Sequence, residues 1–336
     1  MNFDGAAPLI QDGQGLSRCS GSGQVVEPEQ IVFLLETSIL RSLLFNPYWN
    51  SAMAPALSLL LLLSCVPAAQ SDSICTMSWN IRCFSLRDGL DAWPHRKDWA
   101  ADLIQRTRPD IVGLQEVVKS QMADLQERLK EYDSYGVGRD DGGTRGEFAP
   151  IFFRRDRFRL LQKSTFWLSK TPDKIASRDW DAAITRIASW VRLEDRETGN
   201  KLLFVNTHFD HRGTVARLES ARLLRRRLKS TFADHDVILT GDFNALPSAP
   251  PIAALTEETD QPRWFDTRQL SRAKYTGPDS TWSGFRAVQP GRRIDYIFVT
   301  AGIQVEKHTT LDEQRNGRFP SDHLPVVAEI VLPTPQ

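Results

Sequence analysis

Hydrophobic and polar positions settle into a regular alternation of elements from residue 74 onward. Short β-branched runs predict strands at 74–81, 111–115, 149–153, 158–167, 188–193, 201–207, 237–240, 294–299 and 326–331. Between the first two, Trp99, Leu103 and Ile104 mark the inner stripe of a helix that must stop before Pro109. After the second, Ser120 is positioned to cap a helix whose inner face carries Met122, Leu125 and Leu129. Residues 214–228 predict another helix, with Leu218, Ala221, Leu224 and Leu228 inward. Its outer face holds Arg217, Arg222, Arg225, Arg226 and Arg227, which reads as a solvated face or, alternatively, a surface for a polyanion. Residues 195–200 suit a hairpin turn, and the glycine-rich stretch 139–146 is too irregular for a phosphate-binding P-loop. No internal repeat or long linker divides this part, so 72–336 is expected to be one domain.

The first 71 residues have a different character. Residues 53–70 form an apolar stretch too short for a comfortable membrane span, followed by small residues, as in a secretory signal peptide. No Lys or Arg lies between Met53 and the apolar run, and a buried helix is the competing reading. The signal-peptide reading makes Met53 the physiological start and the mature protein exported: periplasmic, extracellular or, through Cys65, lipid-anchored. Without a signal the chain would be cytoplasmic. Of the four cysteines, Cys75 and Cys83 would outlast cleavage of residues 1–70. At about 3.3 Å per residue along a strand they stand beyond disulfide reach, so no structural bridge is expected.

Charge narrows the partners only slightly. The whole chain is formally neutral, and removing residues 1–71 leaves 40 basic and 37 acidic side chains. That imbalance is too small for strong non-specific binding to nucleic-acid backbones, although a local basic cleft would escape such a count.

Candidate chemistry collects where predicted strands end. Asn80 follows Ser78-Trp79, Glu116 follows Leu114-Gln115, and His208 and Asp210 sit in Asn206-Thr-His-Phe-Asp. Asp242 and Asn244 close the run Ile238-Leu-Thr-Gly-Asp-Phe-Asn, and Asp295, Asp322 and His323 lie further on. Singly, each has a plain alternative. Asn80 can end a strand, Glu116 cap a helix, His208 fill a core, Asp242 make a turn, and Asp295 pair with Arg292 or Arg293. Together they supply oxygen ligands for a hard cation, such as Glu116 and Asp322, with polar groups to orient a water. That combination points to metal-assisted phosphoryl transfer.

The ordered set Trp79-Asn80, Gln115-Glu116, Asn206-Thr-His208, Gly241-Asp-Phe-Asn244, Arg293-Ile-Asp295-Tyr and Ser321-Asp-His323 resembles the endonuclease/exonuclease/phosphatase superfamily. The match runs from Asn80 to His323 and is similar in detail to the branch holding nocturnin-like deadenylases and secreted bacterial members. The resemblance implies an α/β, four-layer sandwich of two packed, mostly antiparallel β-sheets flanked by helices. It implies Mg²⁺ or Mn²⁺ bound by Glu116, with Asn80 beside it and Asp322 completing or approaching the site. It further implies that Asp295 holds His323, that Asp242 orients or deprotonates the attacking water, and that Asn244 fixes the phosphate. His208 would contact a phosphate oxygen or assist the leaving group, while Trp167, Arg186, Asp210 and Trp282 would line the substrate cleft. Asp242 and His323 both remain candidates for the base. Phe148 stands where relatives often carry tyrosine.

The expected activity is therefore hydrolysis of a phosphate ester by a divalent-metal enzyme. The leading substrate is a nucleotide or single-stranded nucleic acid. Sugar or inositol phosphates, and phospholipid head groups, are the alternatives. A non-catalytic binding module would have lost one of the acidic or histidine positions, and none is lost. No protein partner is implied, and a monomer is expected. The export reading predicts that N-terminal sequencing of the native protein begins close to residue 71; an intact Met1 would contradict it.

Overall fold

The computed structural model describes residues 73–333 except 233–234 and 258–262, so the segment 53–70, with Cys65, lies outside the described residues. Twelve strands make two six-stranded sheets. The first runs β11(Gln304–Thr310), β12(Val326–Val331), β1(Ser73–Asn80), β2(Ile111–Gln115), β4(Ile151–Arg154), β3(Tyr132–Tyr135). The second runs β5(Phe158–Trp167), β6(Ile187–Asp195), β7(Lys201–His208), β8(Asp236–Asp242), β10(Asp295–Thr300), β9(Trp264–Asp266). Each sheet has one parallel pair, β1 with β2 and β7 with β8, and every other pairing is antiparallel. A parallel pair needs a crossover. Helix α1(Trp93–Thr107) makes the first and α3(Thr214–Phe232) the second.

Three apolar clusters explain the layering. Ile74, Ile111, Phe153, Phe204, Ile238 and Ile297 form the dry seam between the sheets. Met77, Trp79, Leu103, Ile104 and Leu125 join the outer face of the first sheet to α1 and α2(Lys119–Arg128). Phe243, Leu239, Leu224, Leu228 and Leu255 join the second to α3 and α4(Pro250–Thr256). The result is the expected α/β, four-layer sandwich. Among the described residues no helix is long and apolar enough to cross a membrane.

Toward the site the inter-sheet seam turns polar. Gly113 of β2 stands so close to the second sheet that an added Cβ would meet Thr240 Oγ1 at 2.2 Å and Asn206 Oδ1 at 2.7 Å. The buried Asn206 amide uses that closeness. It donates to the carbonyls of Leu114 (2.7 Å) and Pro150 (2.9 Å) and accepts from Gln115 Nε2 (2.7 Å) and Thr240 Oγ1 (3.1 Å). One side chain from β7 thus hydrogen-bonds across to the first sheet, and a methyl at Gly113 would cost about 1–3 kcal/mol or more in overpacking.

Some local expectations need correction. Ser120 lies inside the first turn of α2 and does not cap it; Gln121 Oε1 accepts from the Val118 and Phe84 N–H groups instead. Trp99 is only half-buried and bonds Glu313, so the buried side of α1 is built from Trp93, Arg96, Ala100, Leu103 and Ile104. The arginine-rich face of α3 is largely spoken for: Arg217 donates to the Asp210 carbonyl, Arg222 to Glu219, Arg225 to the Ala254 carbonyl, and Arg227 to Asp173. Cys75 and Cys83 are free thiols.

His308 of β11 is buried, shares a hydrogen bond with Thr267 Oγ1 (2.9 Å), and its pKa is pushed down to about 3 by burial and then by Arg293 and Arg268. A folded-state value below the unfolded one means stability present above about 6.5 and lost progressively as pH falls toward about 3. At pH 5 that is roughly 2 kcal/mol. The His308→Asn variant should therefore start less stable at pH 7 but lose less between pH 7 and 5 than the wild type, measured as urea midpoints. Parallel slopes would contradict this.

Candidate active site

The C-terminal ends of the parallel-paired strands meet at one edge of the sandwich. Register sets Asn80 beside Gln115 and His208 beside Asp242, and the antiparallel partner β10 sets Asp295 beside Asp242. The chain then leaves those strands in unusual conformations. Arg82, Glu116 and Asn244 all have positive φ (58°, 62° and 47°), a region that non-glycine residues rarely adopt and that clusters at functional sites. A cavity of about 400 Å³ opens there, lined by Glu116, Asp322, Asp242, Asn244, His208 and His323, with Arg82, Cys83, Glu147, Arg186, His211 and Trp282 among its walls.

Asn80 links the two sheets' acids. Its Nδ2 donates to Glu116 Oε1 and to Asp242 Oδ2, each at 3.0 Å, which holds those two oxygens within about 6 Å of each other. Its Oδ1 accepts from the Arg82 N–H at 2.9 Å. Asn80, expected beside the cation, thus turns its NH₂ group toward both carboxylates and its Oδ1 toward the backbone. Asn80 spaces the acids.

The third acid arrives on a loop that is tied to β1. Ser321 Oγ donates to the Asn80 carbonyl (2.7 Å), and Trp79 Nε1 donates to the His323 carbonyl (3.0 Å). The buried Arg96 of α1 binds the carbonyls of Ile81, Arg82, Asp91 and Pro320 together, which fixes Asp322 next to Glu116.

Electrostatics divide the cavity in two. On one side, burial raises the pKa of Asp322, and Glu116 raises it further. Burial acts the same way on Glu116, but the Cys83 N–H, His323 and Asn80 hold its carboxyl below the ordinary range. Burial and then Asp295 push Asp242 up to about 7. Glu116 and Asp322, two half-buried acids in one pocket, form the oxygen-rich donor set that a hard divalent cation satisfies. Glu116 and Asp322 are therefore the residues fitted to hold one. Asp242, Asp295 and His323 also bring ligand atoms within 4.8 Å of one another. In that trio Asp295 Oδ2 is spent on His323 Nδ1 at 2.9 Å, and the neighbouring acids favour the protonated ring, which has no lone pair for a metal.

On the other side donors predominate, with Glu147 the acid among them. His208 Nε2 accepts from Asn244 Nδ2 (3.1 Å), which leaves the proton of the neutral ring on Nδ1. Burial, then Arg186 and Arg139, keep its pKa well below the ordinary value, so the ring is uncharged. His208 Nδ1 and Arg186 Nε and Nη1 are buried with no hydrogen-bond partner, and their ion-pair distances to Glu147 and Asp210 are 3.8–3.9 Å. Buried donors left in this way are rare and call for an anion. His323 differs from His208. Burial opposes its charge, yet Asp295 by charge and hydrogen bond, then Asp242 and Asp322, raise its pKa well above the usual value.

Of the residues expected to line a substrate cleft, Arg186 and Trp282 do so. Trp167 is placed elsewhere: it is buried against Ala149 and Ile187, with its indole N–H on the Arg139 carbonyl (2.7 Å). Asp210 is also buried outside the cavity lining. Burial opposes its charge, but the N–H groups of Gly213, Arg212, Ala183 and Ile184 hold its pKa down, so it shapes the wall. Phe148 is a core residue bridged to Val117. Sequence reasoning passed over Glu147, which pairs with Arg139 (2.6 Å) and whose pKa burial and Glu116 raise. The only signal for it was an acid directly before an apolar strand. It also passed over Arg96, whose role exists only through contacts far apart in sequence.

The sequence model of the Endonuclease/Exonuclease/phosphatase family matches residues 77–323. A crystal structure of an endonuclease/exonuclease/phosphatase from Bacteroides vulgatus superposes with a TM-score of 0.74 at 37% identity, covering 77% of this chain and 99% of that one. A mannosyl-6-phosphatase from Bacteroides thetaiotaomicron gives 0.71 at 36% identity, covering 77% and 100%. Nocturnin from Drosophila melanogaster is 25% identical over 328 residues, 81% of this chain, and the match spans 48% of that protein's own length.

The Asp295 contact predicts that Asp295→Asn lowers the pKa of His323, read by NMR titration of the ring. An unchanged titration would show that Asp295 does not hold the proton there.

Proposed function

The chain belongs to the Endonuclease/Exonuclease/phosphatase family, and on that premise we propose that it is a divalent-metal-dependent phosphoesterase acting on a small phosphate monoester. The observation that carries this reading is the divided cavity: acids on one side, and the unpartnered donors of His208 and Arg186 on the other. A phosphate group between them satisfies the donors of one side and bridges to the cation of the other.

The residues then have distinct tasks. Glu116 and Asp322 would hold the cation, which when bound neutralises charge on the phosphate. Arg186 and His208 Nδ1–H bind phosphate oxygens. Asn244 Nδ2 positions His208, and its own N–H donates to Asp242 Oδ1 at 2.9 Å, which aims that carboxylate. Asp242, with a pKa near 7, is matched to take a proton from water at neutral pH. His323 is held protonated by Asp295 and so serves as a hydrogen-bond donor to the phosphate; this choice makes Asp242 the base. As the water attacks, its proton passes to Asp242, the P–O bond to the alcohol breaks, and the departing oxygen takes the Nε2 proton of His323 to leave as the alcohol.

Two observations favour a small monoester. The cavity of about 400 Å³ suits a compact group. The likeness to a mannosyl-6-phosphatase covers the whole of that chain at 36% identity. A nucleotide ester is the second reading. It is favoured by Trp282, whose ring lines the cavity with the Arg292 guanidinium 5.4 Å from its centre and could stack a base. Export of the mature enzyme, proposed from residues 53–70, would place either substrate outside the cytoplasm.

The test is phosphate release from a panel of hexose 6-phosphates, nucleotides and nucleotide diesters, with Mg²⁺ and with chelator. We expect metal-dependent release from the sugar monoesters, reduced about 10²–10⁴-fold in kcat by Asp242→Asn. Cleavage of the nucleotide esters with no release from the sugars would overturn the monoester reading in favour of the second.

A further inference from the structure

We propose that a second, mainly polar cavity beside the catalytic one is the seat for a polyhydroxylated alcohol, the part of the substrate that carries the phosphate. This deepens the phosphomonoesterase reading and rests on it. The cavity measures about 650 Å³ and shares a wall with the catalytic one at Ile184. Arg139 joins them further: it lines the outer cavity, and its guanidinium makes a two-point pair with Glu147 (2.6 and 3.0 Å), which lines the inner one. The shared wall is held in register with the phosphate seat, because Asp210, two residues beyond His208, accepts the N–H groups of Ala183 and Ile184.

The lining decides the chemistry. Three cations, Arg139, Lys174 and Arg178, face two carboxylates, Asp140 and Asp179, with the hydroxyl of Thr185 between elements of the two sets. Hydroxyl groups both donate and accept, so a nearly balanced set of donors and acceptors suits a ring of them better than it suits a second phosphate. No aromatic side chain lines this cavity, so it offers no face for a nucleobase. Arg139 is about nine-tenths buried, and its Nε has no hydrogen-bond partner, which leaves a donor for a ligand. On the opposite flank of Asn244 the groove is mostly apolar, with Val215, Leu246, Pro250 and Pro251 on its wall, and lacks a carboxylate to accept from hydroxyls. Polarity therefore selects one direction for the alcohol.

Lys174→Ala and Asp179→Asn alter the outer cavity and leave the proposed catalytic residues intact. With the full chain and Mg²⁺, kcat/KM should fall about tenfold or more for a hexose 6-phosphate, the worth of one charged hydrogen bond. For p-nitrophenyl phosphate, which has no hydroxyl ring, it should stay within about twofold. Equal effects on the two substrates, or none on either, would overturn the proposal. A wild-type enzyme that releases phosphate from neither substrate would refute the monoesterase reading itself. The cavity is then judged by calorimetry of hexose 6-phosphate on Asp242→Asn protein with and without Lys174→Ala: weaker binding in the double variant supports it, and unchanged binding overturns it.

Discussion

The site depends on a single amide. Asn80 holds Glu116 of the first sheet and Asp242 of the second, each at 3.0 Å, and so keeps a half-buried and a buried carboxylate together that would otherwise repel. Each sheet delivers its acid from the end of a parallel strand, and the seam below is set by Gly113 and Asn206. Without that close approach the acids would sit at two separate sheet edges. The fold acts as a device for bringing acids 36 and 162 residues along the chain from Asn80 onto its one amide nitrogen.

Charge in the cavity is arranged with equal economy. Two histidines with the same intrinsic chemistry are driven in opposite directions: His323 toward the cation by Asp295, and His208 toward the neutral form by burial and the nearby arginines. Glu116 and Asp322 lie on the side of His323, and the unpartnered donors of His208 and Arg186 lie on the other, with Glu147 beside them. A dianionic group meets complementary charge directly at those donors, and on the acid side only through a cation held by the carboxylates, the preorganisation that phosphoryl transfer requires.

Much of this was legible in the chain. The strands at 111–115 and 158–167 stand where the pattern put them: Pro109 bounds an apolar run at the first, and apolar residues frame the polar middle of the second. The polar residues ending those runs were visible for the same reason: after several buried β-branched positions, an Asn or Asp stands out. Strand Tyr132–Tyr135, with two polar residues between its tyrosines, and Gln304–Thr310, whose pairing is interrupted by a bulge, carry no such contrast. Arg96 and Glu147 were hidden for a deeper reason. Their neighbours come from other elements, and only the fold makes a buried arginine the tie between loops or turns an acid into a clamp between two arginines. Asn80 was visible as a site residue, but the direction its amide faces was not.

The central claim is that Glu116 and Asp322 share one divalent cation while Asp295 and His323 remain a hydrogen-bonded pair. Anomalous diffraction from crystals of the protein grown with Mn²⁺ tests this most directly. The account predicts one strong peak within about 2.5 Å of carboxylate oxygens of both Glu116 and Asp322, with the Asp295–His323 contact intact. A peak enclosed instead by Asp242, Asp295 and His323 would contradict it.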